Sequence, residues 1–456
     1  MGKNAEQEKS ISMFWVIIIA IAVVYILSFI IPSGEYQRVG KMAVPGTYHI
    51  IPKVYLLPHQ VIMGMGPQAY ASFGRLFISI IVMGGLMGIV NSNKVFNRAL
   101  HHLIKRLRGK ALLIVPFIIY AMGLLGAFGT MISSAILFVP LGLSLAKQLH
   151  ADRIFGVALI VMGSFTGFMT SPINMLTTIM GQEIAGIQPY SGFGFRTIVT
   201  LINLGIVSAF LMWWAKRAQA RHDDIRDFGA EENQEEVAEE SKPLSRQDYS
   251  MLLLFVGSML FFAFGAPIYH FGVLQLASIM FPVTLACGYI AGYSLDDTIK
   301  YFAKGAGDLL SVIIFLLFVS MMNFILNQSK ILDTIVYYLS LPLGYLPSAL
   351  APIGMFIANA IINIFITSGS GQTAVCMPIM APLADVLGIT RQMAVFTLQC
   401  GDGFSNLMTP TSANLLPILV LGGVSLKNWL GFIFRCYAFV FVVICAAIGV
   451  GTAIGF

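Results

Sequence analysis

The chain has few charged residues for its length. Only 11% of its 456 residues are charged and 57% are hydrophobic, whereas about 25% of residues are charged in soluble domains. Apolar windows of about 20 residues, the length that spans a bilayer, recur along the sequence. This composition excludes a soluble globular protein, and the continuous apolar runs favour helices over the short alternating strands of a barrel. We therefore predict an all-α polytopic membrane protein.

Cysteine and histidine are also scarce. The five cysteines lie in apolar segments, and the seven histidines lie outside the interiors of the apolar runs or at their ends. Neither residue shows the spacing of a disulfide framework or of a metal site. We predict no cofactor, with sodium or a proton as the coupling ion. The net charge of +6 comes from loops, so it does not indicate nucleic-acid binding.

What the sequence does contain is a repeat, at an offset of 238 residues. Eight identities fall within the 33 positions 140–172, including Pro140 with Pro378 and Pro172 with Pro410. Paired repeats in a membrane protein are typical of secondary transporters. The spans that we predict are 11–32, 73–93, 154–181, 195–215, 249–267, 273–293, 307–327, 391–421 and 429–453.

Two further uncharged segments, 111–146 and 334–384, do not fit single spans. As one straight helix the first would be about 54 Å long, against a hydrocarbon core of about 30 Å. The middle of each segment is polar and contains glycine. Both segments are therefore predicted to be re-entrant helical hairpins with polar tips near mid-membrane, where irregular backbone must line a cavity or be buried in protein.

Basic residues set the predicted orientation. Lys and Arg cluster in 94–110 and 216–226, and short basic loops stay in the cytoplasm. This places the N-terminus and the acidic linker 216–247 in the cytoplasm. The two hairpins then enter from opposite faces, so the repeats are inverted, and 94–109 and 330–345 form amphipathic arms on opposite faces. We expect 33–72 to be an external loop with one interfacial helix.

Each repeat breaks a membrane helix at a Ser-Pro or Thr-Pro pair. Ser171-Pro172 and Thr409-Pro410 follow glycine-rich stretches, and Ser/Thr before Pro is a preferred helix start. We predict new half-helices there, and two more helix starts at the hairpin tips, near Ser133-Ser134 and near Gly371–Thr373. Helix N-termini favour anions, so these starts predict a site for a substrate carboxylate.

Asp402 is an acidic residue deep within an otherwise uncharged segment. Such a carboxylate is costly in a membrane and indicates a functional site. We expect it to bind a coupling cation, carry a proton or hold a substrate ammonium, although a structural role as a hydrogen-bond acceptor is the alternative. Its repeat partner is Ser164. We assign the coupling ion to Asp402, Ser164, Gly401 and Asn414.

The second hairpin and second break resemble a known family. Thr367–Ala374, Met377–Asp385 and Gly401–Asn406 with Thr409–Ser412 are similar to the YfcC-like branch of the C4-dicarboxylate anaerobic carrier family, within the ion transporter superfamily. The resemblance implies a homodimer with a scaffold and a moving transport domain, an elevator mechanism, and C4-dicarboxylates or basic amino acids as substrates. The implied and predicted substrate contacts are Ser133, Ser134, Thr170, Ser171, Asn174, Asn363, Ser368, Ser370, Asn406, Thr409 and Ser412.

One departure from the branch bears on the substrate. Similar proteins carry acidic residues at the first hairpin tip, where this chain has Ile132-Ser133-Ser134. That difference disfavours a dibasic substrate. No Lys or Arg falls in either tip or break, so we expect an anion to be held by helix dipoles and hydroxyl groups.

We therefore predict a secondary active transporter in a bacterial inner membrane, in contact with lipid. It would carry a small carboxylate-bearing metabolite, with an amino acid favoured and a C4-dicarboxylate as the alternative. An anion channel would need a continuous polar pore, and a membrane enzyme would need His, Cys or paired acids at the polar centre. The predicted scaffold is 1–110 and 248–345, and the predicted transport domain is 111–215 and 346–456.

Overall fold

The computed structural model describes residues 13–39, 42–106, 110–129, 132, 134–222, 227–228, 242–269 and 271–456. These residues are almost entirely helical, which confirms the all-α prediction. Several helices are long and apolar enough to cross a membrane, as expected of a polytopic membrane protein. They are Pro58–Ser92, Phe193–Arg221, Val273–Ile290, Leu310–Gln328 and Leu426–Ala453.

In the first half of the chain, the described residues form eight α-helices. They are α1 (Met13–Ile30), α2 (Pro58–Ser92), α3 (Val95–Arg106), α4 (Ile114–Ala127), α5 (Val139–Gln148), α6 (Arg153–Met169), α7 (Met180–Ile184) and α8 (Phe193–Arg221). Short 3-10 turns at Ala111–Leu113 and Ser134–Phe138 precede α4 and α5, and the π-helical segment Met175–Ile179 leads into α7.

In the second half, the described residues form ten α-helices. They are α9 (Arg246–Tyr269), α10 (Val273–Ile290), α11 (Leu295–Asp308), α12 (Leu310–Gln328), α13 (Leu332–Ser340), α14 (Ala351–Ile362), α15 (Gly369–Val386), α16 (Arg391–Ser405), α17 (Leu415–Gly422) and α18 (Leu426–Ala453). The 3-10 turn Leu341–Tyr345 follows α13.

The segment between α1 and α2 differs from the prediction. In place of an interfacial helix it holds two short antiparallel pairs, β1 (Gly34–Glu35) with β4 (His49–Ile50) and β2 (Arg38–Val39) with β3 (Met42–Ala43). The next helix, α2, starts at Pro58, well before the predicted span 73–93. Proline suits a first helical position, and the polar and glycine residues that follow it hide the helix from a hydropathy window.

The two halves repeat one order of elements. A long helix, a short arm, a helical hairpin, a broken helix and a second long helix occur in both, as α2–α8 and as α12–α18. The backbone repeats too, because Lys94 and Lys330 both adopt left-handed φ angles, of 54° and 57°, where a long helix meets its arm. The arms predicted at 94–109 and 330–345 are the helices α3 and α13.

The two broken helices lie at the centre of the protein. Every residue from Phe155 to Met169 in α6 is buried, and α16 is almost as completely enclosed. A helix that is apolar on all sides is expected to be buried in this way. Each is packed by the first helix of its own hairpin, α4 on α6 and α14 on α16, and α6 also contacts α16.

Glycine allows these helices to approach closely. A Cβ at Gly126 of α4 would overlap the Ser164 carbonyl of α6, and one at Gly401 of α16 would approach the Phe356 carbonyl of α14 to 2.7 Å. Small residues at a helix contact are the usual means of close packing in a membrane. The identity between Gly163 and Gly401 in the repeat is therefore explained by packing, since Gly163 lies against α4.

A second group of helices surrounds α2. The helices α10, α11 and α12 all pack on it, α1 packs on α12, and Gly84 and Gly88 of α2 meet Gly305 of α11. The predicted division into scaffold and transport domains concerns motion and stays a prediction. Most of the predicted linker 216–247 lies outside the described residues, although its first residues extend α8 to Arg221.

Candidate functional site

The hairpin tips and helix breaks meet around one cavity of about 390 Å³. Each hairpin and each broken helix contributes to its wall, and α2, α10 and α12 close the opposite side. The lining residues are Ser72, Phe73, Arg75, Leu76, Gly129, Ile132, Phe168, Leu176, Val273, Asn323, Thr367, Ser368, Gly369, Ser370, Asn406, Ala413 and Asn414. The hairpin tips and helix breaks, which the sequence predicts to lie together, thus surround one cavity.

The second hairpin tip presents a helix start to this cavity. The helix α15 begins at Gly369, slightly earlier than predicted, because the hydroxyl of Ser368 accepts a hydrogen bond from the Gly371 amide at 3.4 Å. Ser368 and Ser370 both line the cavity, with their hydroxyl oxygens 3.5 Å apart. The tip therefore offers two hydroxyls and the positive end of an 18-residue helix.

The first hairpin tip is built differently. It contributes Gly129 and Ile132 to the cavity wall. Gly129 adopts φ +79°, and the Asn174 amide lies 3.0 Å from the place a Cβ would take. Of the two serines predicted here, Ser134 is fully buried and does not line the cavity, and Ser133 lies outside the described residues.

The first helix break restarts later than the Ser171-Pro172 prediction. The helix α6 ends at Met169, and the new segment starts at Met175 with Asn174 as its cap. The Asn174 side-chain oxygen accepts hydrogen bonds from the amides of Leu176 and Thr177, at 2.9 and 3.1 Å. The prediction was wrong because asparagine caps as well as serine does, and the Ser171 hydroxyl is used elsewhere.

Ser171 and Thr170 serve the structure of the break. The Ser171 hydroxyl donates to the Ala127 carbonyl at 2.7 Å, which satisfies the end of α4. The Thr170 hydroxyl lies 2.9 Å from that of Thr200 in α8. Both residues and Asn174 are fully buried and none lines the cavity. In this conformation their side chains stabilise the break and do not line the cavity.

The second break also restarts later than the Thr409-Pro410 prediction. The helix α16 ends at Ser405 and α17 begins at Leu415, whose amide donates to the Ser412 hydroxyl at 3.3 Å. Asn406 and Asn414 line the cavity, whereas Thr409 and Ser412 do not. The new helix therefore starts at Leu415, five residues after the proline, with Asn414 at its N-cap position.

Asn363 holds this second break together. Its side-chain amide donates to the Asp402 carbonyl at 3.1 Å, to the Ser405 hydroxyl at 2.9 Å and to the Asn406 side-chain oxygen at 3.2 Å. It is fully buried beside the cavity, so its observed role is to brace the end of α16. Sequence reasoning left a ligand role and a structural role open for Asn363, and these contacts are structural.

Asp402 is fully buried directly beneath the second hairpin tip. Within the described residues, neither of its carboxylate oxygens has a hydrogen-bond partner. A Cβ at Gly369 would lie 3.0 Å from one of these oxygens and 3.0 Å from the methyl group of Thr177. The carboxylate therefore faces the start of α15, where the helix dipole favours a negative charge.

The polar groups around Asp402 include some that sequence reasoning missed. The Thr177 hydroxyl, from the restarted first helix, also has no hydrogen-bond partner among the described residues. An isolated buried carboxylate needs a cation, a proton or a strong donor set. The Asp402 carboxylate can therefore hold a proton or act as an oxygen ligand to a small hard cation.

The other predicted coupling-ion residues are placed less directly. The Ser164 hydroxyl donates to the Ile160 carbonyl within α6, at 3.2 Å, and Gly401 lies against α14. Asn414 lines the cavity. No cluster of three or more His, Cys, Asp or Glu residues suited to a metal occurs in the described part of the chain.

One arginine from a helix outside the tips and breaks lines the cavity, and a second is linked to the first break through Gln399. Arg75 of α2 lines the cavity. Arg196 of α8 is fully buried and donates to the Gln399 side chain at 2.5 Å, and Gln399 in turn donates to the Phe168 and Ser171 carbonyls of the first break. That an anion is held by dipoles and hydroxyls alone stays a prediction, and Arg75 adds a positive charge to the cavity wall. Both arginines lie near the start of a predicted span, and sequence reasoning assigned neither of them a role.

Similarity to known proteins agrees with this architecture. A family model described as C4-dicarboxylate anaerobic carrier matches residues 11–453. A protein of Escherichia coli K12 named "Putative basic amino acid antiporter YfcC" is 29% identical over 79% of this chain and 74% of its own length. An uncharacterised protein of Haemophilus influenzae is 26% identical over 86% of this chain and 78% of its own.

Among solved structures, the Alcanivorax borkumensis YdaH transporter is similar over 97% of this chain and 98% of that chain, with 16% identity and a TM-score of 0.42. The family assignment depends on the sequence matches, which extend over nearly the whole chain. The chain belongs to the C4-dicarboxylate anaerobic carrier family, and it is a secondary transporter of the membrane rather than an enzyme.

Proposed function

We propose that the protein is an ion-coupled carrier that moves a small carboxylate-bearing metabolite across a bacterial inner membrane by an elevator motion. The observation that carries this proposal is the cavity of about 390 Å³ shared by both hairpin tips, both helix breaks and α2. A compact cavity lined by a helix start and by hydroxyl groups suits a small anion that is bound, carried across the membrane and released.

The chemistry of the cavity wall supports a carboxylate. Ser368, Ser370 and the start of α15 provide donors, Asn406 and Asn414 provide amides, and Arg75 provides a positive charge. Among the described residues none of the lining side chains is acidic, which disfavours a substrate with a net positive charge such as a basic amino acid. An amino acid with one ammonium group and a C4-dicarboxylate remain the two candidates.

We propose Asp402 as the coupling residue. Its carboxylate is buried, has no hydrogen-bond partner among the described residues and lies against Gly369 at the tip. Loading it with sodium or a proton would remove an uncompensated charge and stabilise the tip beside the substrate. Ser164, Gly401 and Asn414 stay predictions as further contributors to the ion site.

Uptake by purified protein in proteoliposomes tests the proposed function. We expect saturable uptake of a labelled amino acid or C4-dicarboxylate, accelerated when the same unlabelled compound is loaded inside. An imposed sodium or proton gradient should drive accumulation, because coupling to an ion is part of the proposal. Unsaturable flux that runs only down the substrate gradient, with no acceleration by internal substrate, would instead indicate a channel.

The elevator part of the proposal has a separate test. In an elevator with inverted repeats, 111–215 and 346–456 slide as one body against a dimeric scaffold. The helices α12 and α17 belong to the two bodies and pack against each other. A disulfide placed between facing positions of α12 and α17 should stop transport and leave substrate binding intact, and reduction should restore transport. Normal transport by the fully cross-linked protein would contradict an elevator.

A further inference from the structure

A positive charge enters the cavity from the side opposite the hairpin tips. Arg75 is exposed on α2, and it lines the cavity together with Ser368, Ser370 and Asn406. Within the described residues its guanidinium has no ion pair and no hydrogen bond, and none of the lining side chains is acidic. Arg75 is therefore a cation without a counter-ion in a cavity that already contains a helix start.

The packing of α2 places this charge level with the interior of α12, a helix long and apolar enough to span a membrane. Gly64 of α2 packs on the ring of Phe324 near one end of α12, and Gly84 packs on Leu309, which directly precedes the other end. Arg75 lies near the midpoint between these glycines, so it is level with the middle of α12. The 19 residues of α12 contain no charged side chain.

A guanidinium at that level of a candidate membrane span requires water or an anionic partner. Arginine in the centre of a membrane-spanning segment is costly and in general faces a water-filled cavity or a functional partner. The partner that fits is planar and anionic, since the guanidinium fork donates two parallel hydrogen bonds to a carboxylate. Ser72 and Leu76, its neighbours on α2, line the same cavity, so this face of the helix is turned towards the site.

We propose that Arg75 is a specificity-determining residue that binds a carboxylate of the substrate from the α2 side of the cavity. This inference rests on the proposed function and extends it. The start of α15, with Ser368 and Ser370, holds one end of the substrate, and Arg75 holds the carboxylate at the other end. A substrate with anionic groups at both ends fills both positions, whereas a cationic side chain would be repelled by Arg75.

The position of Arg75 also implies that this contact depends on conformation. Its helix packs with α10, α11 and α12, while the tip serines belong to the hairpin that packs on α16. If the hairpin moves relative to α2, the substrate stays with the tip and leaves the guanidinium. Arg75 would then select the substrate in the conformation described here and release it during transport.

The test compares substrates that differ in one carboxylate. We would measure binding and uptake of succinate against succinamate, and of aspartate against asparagine, by the wild type and by Arg75→Gln and Arg75→Lys. The matched control is Arg246→Gln, which removes an exposed arginine at the start of α9, outside the cavity lining. Thermal unfolding would report whether each variant is folded.

We expect Arg75→Gln to weaken binding of the preferred carboxylate about 10- to 100-fold, the range for losing a charge-assisted hydrogen-bonded pair. Its preference for the carboxylate over the matching carboxamide should collapse, an effect that a merely structural role would not produce. Arg75→Lys should retain part of the affinity and part of the preference, since lysine keeps the positive charge and lacks the paired donors of the guanidinium. Arg246→Gln should behave as the wild type.

The outcomes separate the two proposals. If the wild type binds and transports none of the carboxylates tested, the proposed function fails and this inference fails with it. If the wild type transports a carboxylate and folded Arg75→Gln keeps the same affinity and preference, Arg75 is not a substrate contact. Should Arg75→Gln not fold, Arg75→Lys decides, because unchanged affinity and preference in that variant would overturn the role of the guanidinium fork.

Discussion

At the scale of the residue, the polar groups in and around the cavity are of two kinds. Ser368, Ser370, Asn406 and Asn414 reach the cavity, while the buried polar groups of the first break brace the backbone. Sequence reasoning identified both kinds by the same signal, a polar side chain at membrane depth. A polar side chain that points into the cavity can contact a ligand, whereas one that points into the packed backbone has a structural role, and the sequence does not show which way it points.

Replacing Asp402 with asparagine should abolish ion-driven accumulation while the protein remains folded. The substitution keeps the volume and removes the charge that we propose to bind the coupling ion. Thermal stability should not fall, because an isolated buried charge is costly to the folded state. The measurement is uptake with and without a sodium or proton gradient.

Asp385→Asn is the matched control for this prediction. Asp385 lies near the end of α15, pairs with Arg391 at 2.7 Å and is exposed. Its replacement should leave accumulation unchanged. Accumulation by Asp402→Asn at the wild-type level and with the same ion dependence would show that the carboxylate is structural.

Replacing Ser370 with tryptophan should abolish transport. Ser370 lines the cavity, and an indole ring would occupy space that the substrate needs. Ser278→Trp, on an exposed position of α10 away from the cavity, should transport normally. Uptake and thermal unfolding of the two variants provide the comparison, and a stable Ser370→Trp protein with wild-type uptake would exclude the second tip as a substrate contact.

At the scale of the element, the site depends on how closely each hairpin packs on its broken helix. The helix α4 meets α6 through Gly126 at Ser164 and through Gly123 at Gly167. The carbonyl oxygens of one helix lie where a Cβ of the other would be. The hairpin tip can therefore reach the break only because these positions have no side chain.

Gly126→Ala should destabilise the protein by about 1–3 kcal/mol, the usual cost of overpacking, and should lower transport. Its Cβ would overlap the backbone of α6, and neither helix backbone can yield without moving the first tip. Gly194→Ala, near the start of α8, has open space around its Cβ and should be neutral in both assays. Equal stability of the two variants, measured by thermal unfolding, would contradict the close contact.

At the scale of the whole molecule, the two arms are attached to different parts of the described structure. Arg98 of α3 pairs with Asp248 at the start of α9, at 2.5 Å. Asp333 of α13 pairs with Arg38 at 2.6 Å and accepts a hydrogen bond from the Tyr36 amide at 3.0 Å. The placement of the arms on opposite faces of the membrane stays a prediction.

Cysteine labelling in intact cells should place α3 inside and α13 outside. In a background without the five native cysteines, an impermeant reagent should label Tyr338→Cys and spare Lys105→Cys, since basic segments stay in the cytoplasm. Both positions are exposed. Lysed cells are the control, because both cysteines should react there. Labelling of Lys105→Cys alone in intact cells would reverse the predicted orientation.

The sequence alone determined the class of protein, the repeat, both hairpins and both broken helices. These features follow from local chemistry: apolar length, absence of charge, and glycine and proline at the interruptions. The offset of 238 between the repeats could be read residue by residue, and the shared left-handed turns at Lys94 and Lys330 lie close to it, 236 residues apart. Asp402 was recognisable because a charge in an apolar run is costly wherever the chain folds.

The tertiary structure decided which side chains share the cavity and which helices close it. The restarts at Met175 and Leu415 depend on which polar groups reach the free amides, and packing decides which groups do so. Arg75 and Arg196 come from helices far along the chain from the tips. Because α2 begins at Pro58 and lies against α12, Arg75 reaches the cavity beside the second tip, a juxtaposition that no local pattern in the sequence contains.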